Sequence, residues 1–322
     1  MNAYILIKKV ASLGLLGLSI AAASAQAQNY PTKPIRFLVG FGPGGPTDVV
    51  ARVLGNAMSQ LLGQPIVVEN RAGADSLIAT QAVARADPDG YLLLIASGSH
   101  SINASLYPET KVDPVKDFSH IGMIGDAANF LVVHPSVPAN NADEFLKLLR
   151  DNPGKYNSGT TASTTFLATQ LFQTMAGVDT QNIPYKGAGP GTLALVAGEI
   201  QMSITSLVGM LPQVKANKVK PLAVTSATRS PLAPDVPTLT EKALPGYVAS
   251  TWYAMFAPAN TPVAIVDLLN QTLNKVMSNP DIKKQLQEQG MVTVPMSPAE
   301  LQKFVAEDTL KWAKVTEQGK KK

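Results

Sequence analysis

Cysteine is absent from the 322 residues, so the chain can form no disulfide and offers no thiol for a lipid anchor. Histidine is scarce as well. His100, His120 and His134 are the three, none forms a pair at helical spacing, and without cysteine they complete no metal-binding pattern. Ser99 and Ser101 flank His100, but no G-x-S-x-G elbow accompanies them, and neighbours in sequence are seldom neighbours in catalytic geometry. Catalytic constellations are thus poorly supported, and the chain is read as a non-enzyme that takes no cofactor and no metal. A charge imbalance is also missing. With Lys8 and Lys9 set aside, Lys and Arg exceed the 23 acidic residues by only two, and Lys320–Lys322 reads as a solvated tail. No basic face for nucleic acid is implied.

Long apolar runs are missing too, apart from the N-terminus. Val10–Ala23 is apolar and small, follows Lys8 and Lys9, and leads into Ala23-Ser-Ala25 and Ala25-Gln-Ala27, each a small-x-small cleavage pattern. It is shorter than the ~20 residues that a membrane span needs. Residues 1–27 are read as a secretory signal peptide, and the exported protein as a free, soluble one.

What the chain does have is 45% hydrophobic residues, ample for a sizeable core, in a strand–helix rhythm. Its organising stretch is Phe37–Asp48, an apolar run that breaks into a Gly/Pro turn and then a helical pattern. Val50, Leu54, Met58 and Leu61 mark the apolar stripe of that helix, and Thr47 or Asp48 caps its start. Orphan amides and the positive end of the helix dipole face the mouth of the loop, which suits a carboxylate or phosphate. The same stretch contains Gly40-x-Gly42-x-x-Gly45, with Glu69 closing the next strand, so a dinucleotide-binding dehydrogenase is the rival reading. Against it, Pro43 and Pro46 remove two amides that a pyrophosphate loop would present, and the helix starts after Gly45.

Strand, helix, strand, helix and the continuous apolar strand Tyr91–Ala96 predict a parallel α/β sheet. A second α/β unit follows, with strands near 155–158, 182–185, 201–205 and 219–226 and helices between them. The long strand Tyr247–Ala257 and amphipathic helices to the end must then pack back onto an existing sheet. The simplest topology is a first domain, 28–126 and 251–322, interrupted by a second, 127–250. Two crossing strands join them beside a cleft.

Polar, uncharged loops leading into helix starts recur at the strand ends, and they are the candidate ligand contacts. The first holds Phe41, Gly42, Pro43, Gly44, Gly45, Thr47 and Asp48. Ser97, Ser99 and His100 belong to the second, and Ser158, Thr160, Thr161, Ser163 and Thr164 to the third. Lys186 and Gly187 stand in the fourth, while Thr205 and Trp252 sit at strand ends beside the expected cleft. The plain alternative is that each loop merely caps its own helix.

Several motifs carry a resemblance: Tyr30-Pro-x-Lys-Pro-Ile-Arg36, Pro43-Gly-Gly-x-x-Asp48, Val68-Glu-Asn-Arg71, Pro88-Asp-Gly-Tyr91, Pro184-Tyr-Lys-Gly187 and Asp235-Val-Pro-Thr238. Over nearly all of the exported chain this resembles the substrate-binding proteins of the tripartite tricarboxylate transporter family, also called the Bug family. The resemblance implies a two-domain periplasmic binding (flytrap) fold, each domain a sheet flanked by helices, with the two crossing strands as hinge. It implies a monomeric receptor that binds a small organic acid, commonly through the loops matching Gly42–Asp48 and Ser158–Thr165. The cargo then passes to integral membrane permease subunits; service to a sensor kinase is the alternative use. Departures from the family pattern are Ala72-Gly-Ala-Asp-Ser76 where Pro-Gly-Ala-Gly-Gly is usual, Phe166 for a usual His, and Gln201 and Thr205 for common acids. With Lys186 the nearest cation, Asp75 close by, and Phe41, Phe166, Tyr185 and Trp252 beside the strand ends, a monocarboxylate or aromatic acid is favoured over a tricarboxylate.

Overall fold

The computed structural model describes residues 30–185 and 188–320; the expected signal peptide and the candidates Lys186 and Gly187 lie outside them. Three parallel strands open the first sheet: β1 (Ile35–Val39), β2 (Ile66–Asn70) and β3 (Leu92–Ser97). Two helices connect them, α1 (Pro46–Leu62) and α2 (Leu77–Ala84). In α1, Val50, Leu54 and Met58 of the stripe are fully buried, with Ala51 beside them, whereas Leu61 in the last turn is exposed; Gly63 ends the helix in the left-handed conformation (φ 69°) that its missing Cβ permits. All six residues of β3 are buried, because helices cover both faces of a parallel sheet.

The strand–helix rhythm predicts a parallel sheet, but the sheet is mixed. Strand β10 (Thr251–Pro258) runs antiparallel between β3 and β4 (Phe118–Ala127), and β11 (Met291–Thr293) pairs antiparallel with β4 at the edge. Three residues give β11 no periodicity to read, so the C-terminal region had looked purely helical. It holds α8 (Val263–Ser278), α9 (Pro280–Glu288) and α10 (Pro298–Lys320).

The second sheet has the order β7–β6–β8–β5–β9, with β5 (Asn129–Val133), β6 (Asn157–Thr160), β7 (Gln181–Pro184), β8 (Met202–Ser206) and β9 (Lys220–Val224). Its helices are α4 (Ala142–Asp151), α5 (Ser163–Ala176), α6 (Ala188–Ala197) and α7 (Leu207–Lys215). Strands β4 and β5 belong to different sheets although Ala128 alone separates them. The return crossing lies beside the first, where Asn129 Nδ2 donates to Ala249 O (2.9 Å) and the Ser250 hydroxyl donates to an Asp126 carboxylate oxygen. Helix α10 bridges the sheets as well: Trp312 and Val315 enter the second sheet's core beside Phe172 and Tyr247, and Lys311 Nζ donates to Val248 O (2.9 Å).

α3 (Ser99–Leu106) follows β3, and His100 on its first turn points into the core. Its ring stacks on Phe256 at 4.4 Å, and His120 meets the same phenyl edge-on. Burial pushes His100 down to about 3 and His120 to about 4, from an ordinary 6.5. Between these values the unfolded chain binds more protons than the native one, so stability is lost as pH falls below 6.5. Each histidine should cost on the order of 2 kcal/mol at pH 5. Urea titrations at pH 7.5 and pH 5 should show this drop, and His100→Gln with His120→Gln should flatten it.

Candidate functional site

A cleft of about 910 Å³ opens between the two sheets. The first sheet contributes Gly40, Phe41 and Gly42 after β1, the loop Ala72–Asp75 after β2, and Leu106 and Tyr107 at the end of α3. Facing them are Thr160–Ser163, between β6 and α5, with Phe166, Pro184 and Tyr185. Every one of these segments follows a strand or borders a helix terminus, where backbone donors are left over.

Gly40 is required by close approach: a Cβ there would lie 1.9 Å from Ser76 Oγ. That contact fixes the 73–76 loop against the end of β1. Ala74, Asp75 and Ser76 have φ of 45°, 51° and 78°, three consecutive non-glycine residues in the left-handed region. Asn103 Nδ2 donates to Asp75 O (2.7 Å) and holds the turn in place.

Across the cleft, α5 begins at Ala162, which has no side-chain acceptor for its own helix. Thr165 Oγ1 accepts from the Thr161 and Ala162 amides (2.9 and 3.0 Å), and Asp75 Oδ2 accepts from the Ser163 amide (3.2 Å). The first sheet's loop therefore supplies a carboxylate to a helix of the second.

Asp48 serves the Gly/Pro loop from behind. The N-cap of α1 is Gly45, not Thr47 or Asp48, and Asp48 reaches back from the first turn to accept from Gly44 N (2.8 Å), Asn70 Nδ2 (2.9 Å) and Arg52 Nε (2.9 Å). Asn70 also donates to Phe41 O (3.0 Å), which ties the loop to the end of β2. Burial alone would raise the Asp48 carboxyl; the bonds from Arg52, Gly44 and Asn70 outweigh it and hold it below its ordinary value.

Of the residues expected from sequence, the cleft brings together Phe41, Gly42, Thr160, Thr161 and Ser163. Pro43, Gly44, Gly45 and buried Thr47 stand outside its lining with Asp48. Ser97 ends β3, Ser158 is buried with its hydroxyl bonded to Asn182 Oδ1, and Thr205 is buried in β8. Ser99 is buried one hydroxyl behind the cleft, 3.3 Å from Ser163 Oγ, and Thr164 faces Gly98 beside it. His100 is a core residue, because the helix start turns its ring towards Phe118 and Phe256. Trp252 lies on the hinge side, donating Nε1–H to Asp308 Oδ2 (2.8 Å), so it too is absent from the lining. Sequence reading did not select Gly40, Ala72–Asp75, Leu106, Tyr107 or Pro184 as contacts. Gly40 and Pro184 stand in quoted motifs without being read as contacts, and Asp75 stands out as a charge where the family pattern has glycine.

Residues 50–320 match the profile of the tripartite tricarboxylate transporter family receptor. The chain is 35% identical over 311 residues to Protein BugT of Bordetella pertussis, covering 94% of this chain and 95% of that one. The chain belongs to this receptor family. Its fold superposes on a solved structure of the periplasmic binding protein BugD with a TM-score of 0.79 at 32% identity, covering 90% of this chain and 98% of the other. A solved structure of R. palustris Rpa4515 with adipate superposes with a TM-score of 0.82 at 34% identity, over 89% of this chain and 97% of the other.

The receptor is thus a periplasmic binding fold of two mixed α/β sheets, and a solute-binding protein, not an enzyme. Glu69, the acid of the dinucleotide reading, is engaged by Arg71 (2.6 Å) and Arg36 (3.4 Å). Among the described residues no group of acids and histidines forms a metal cluster, and no helix is long and apolar enough to cross a membrane. Because Asp48 anchors the loop, Asp48→Ala should lower unfolding free energy at pH 7 by about 1–3 kcal/mol. A carboxyl held below its ordinary 3.8 stabilises above that value and loses this as pH falls through its folded value. The gap between the two proteins in chemical denaturation should therefore narrow as pH falls below 3.8.

Proposed function

We propose that the receptor captures a small organic acid in the cleft between residues 28–126 with 251–322 on one side and 127–250 on the other. Export by the 1–27 signal peptide would deliver it to the periplasm, as a monomer, where it hands the acid to the permease subunits of a tripartite transporter. The observation that carries this reading is the cleft itself, since loops from both sheets meet there with amides, hydroxyls and a helix start. Such a surface holds an anion by hydrogen bonds and dipoles. The relative solved with adipate adds a carboxylate at the level of the family. Closure about the paired crossings at 126–129 and 250–253 follows from their position, because short crossings absorb rotation.

A ligand that binds only the folded state stabilises it by RT ln(1 + [L]/Kd), about 2.7 kcal/mol at a hundredfold excess over Kd. Thermal melts with a panel of mono-, di- and tricarboxylates should show a concentration-dependent rise for at least one acid and none for NAD. A rise with NAD and none with any acid would overturn the proposal.

A further inference from the structure

Resting on that reading of the cleft, we infer that Asp75 stands in for one ligand carboxylate at the start of α5. The cleft then selects an acid with a single carboxylate whose far end is a cation or hydrogen-bond donor, and it disfavours diacids. Four observations carry this. Ala162 offers no side-chain acceptor and Thr165 covers only the Thr161 and Ala162 amides, so the Ser163 amide at the start of α5 is a place for an external carboxylate. Asp75 takes that place from the opposite sheet, 3.2 Å from the Ser163 amide. Its posture is built: the left-handed turn is disfavoured for L-residues, yet Asn103 fixes its carbonyl and Gly40 makes room for the turn. Finally, Asp75 is the only carboxylate or cation among the described residues lining the cleft.

A second ligand carboxylate would have to displace Asp75 or lie against it, and like charges in a partly desolvated cleft repel. An ammonium or amide N–H at the same place meets an acceptor. The ligand's single carboxylate is left with the hydroxyls of Thr160 and Thr161 and the backbone at Phe41–Gly42, which Asp75 does not occupy.

Calorimetric titration with two matched sets tests this: adipate, 6-aminohexanoate and hexanoate, then succinate, 4-aminobutanoate and butanoate. The wild type, Asp75→Asn and Asp75→Gly are compared. Asn keeps an acceptor for Ser163 and tolerates the left-handed conformation, and Gly relieves it, so both variants should fold, as unliganded melts will verify. The wild type should favour the amino acid over its matched diacid by about tenfold or more, and both variants should invert that order. Merely capping α5 would change the melting temperature without inverting ligand preference. Equal binding of diacid and amino acid by the wild type, or an unchanged ratio in Asp75→Asn, overturns this inference and leaves the receptor standing. No heat with either set for any of the three proteins removes the cleft reading for these acids, and this inference with it.

Discussion

The structure depends on one pairing: β4 and β10 run antiparallel along their whole length, with Ala127 opposite Thr251. Both passages of the chain between the sheets therefore leave from the same end of the same strand pair. The polar groups at this junction are satisfied locally, with Thr225 Oγ1 and Asn129 Nδ2 both donating to Ala249 O. A buried amide left unpaired here would cost about 1–3 kcal/mol, and Asn129 and Ala249 are buried. The two sheets are thus held at one margin, with an interior surface between them. Helix α10 strengthens that margin by placing Trp312 in the second sheet's core while Leu301 and Val305 stay in the first.

The surface opposite that margin is made of chain that strands and helices could not use. The segments after β1, β2 and β6 carry leftover donors, and several of the residues holding them in position, Asp48, Asn70, Asn103 and Thr165, lie outside the cleft lining. Asp48 stabilises the Gly/Pro loop from below, and Thr165 folds back over the start of α5. Ligand contacts and ligand scaffolding are therefore largely distinct sets supplied by the same short loops, with Asp75 in both: it lines the cleft and accepts from the Ser163 amide. Asp48, though buried, carries no uncompensated charge towards the proposed site, because Arg52 pairs with it at 2.9 Å.

Element order and the two-sheet division were legible because they rest on periodicity, as in the α1 stripe and the buried run of β3. The loops of the cleft were legible as places, since Gly, Pro, Ser and Thr cluster at the strand ends. Which side chain of each loop faces the cleft was not, because one residue of rotation decides it and no pattern records that rotation. His100 shows the limit: polar, and next to a strand end, it is turned inward by the first turn of α3 and packs on Phe256. Trp252 is a second case, its indole N–H being drawn to Asp308 on a helix more than fifty positions away. The short strand β11 exists only through pairing with β4, a tertiary cause without a local signature. Asp75 was visible as a departure from a pattern, but its partner, the Ser163 amide, becomes evident only when the two sheets face one another.

The most direct measurement is a crystal structure of the receptor with an acid that raises its melting temperature. The account predicts that the acid's carboxylate lies between the 40–42 and 160–163 segments, within hydrogen-bonding distance of both. An acid bound on one sheet alone, or in the hinge-side cavity lined by Asp126, Trp252 and Asp308, would contradict it.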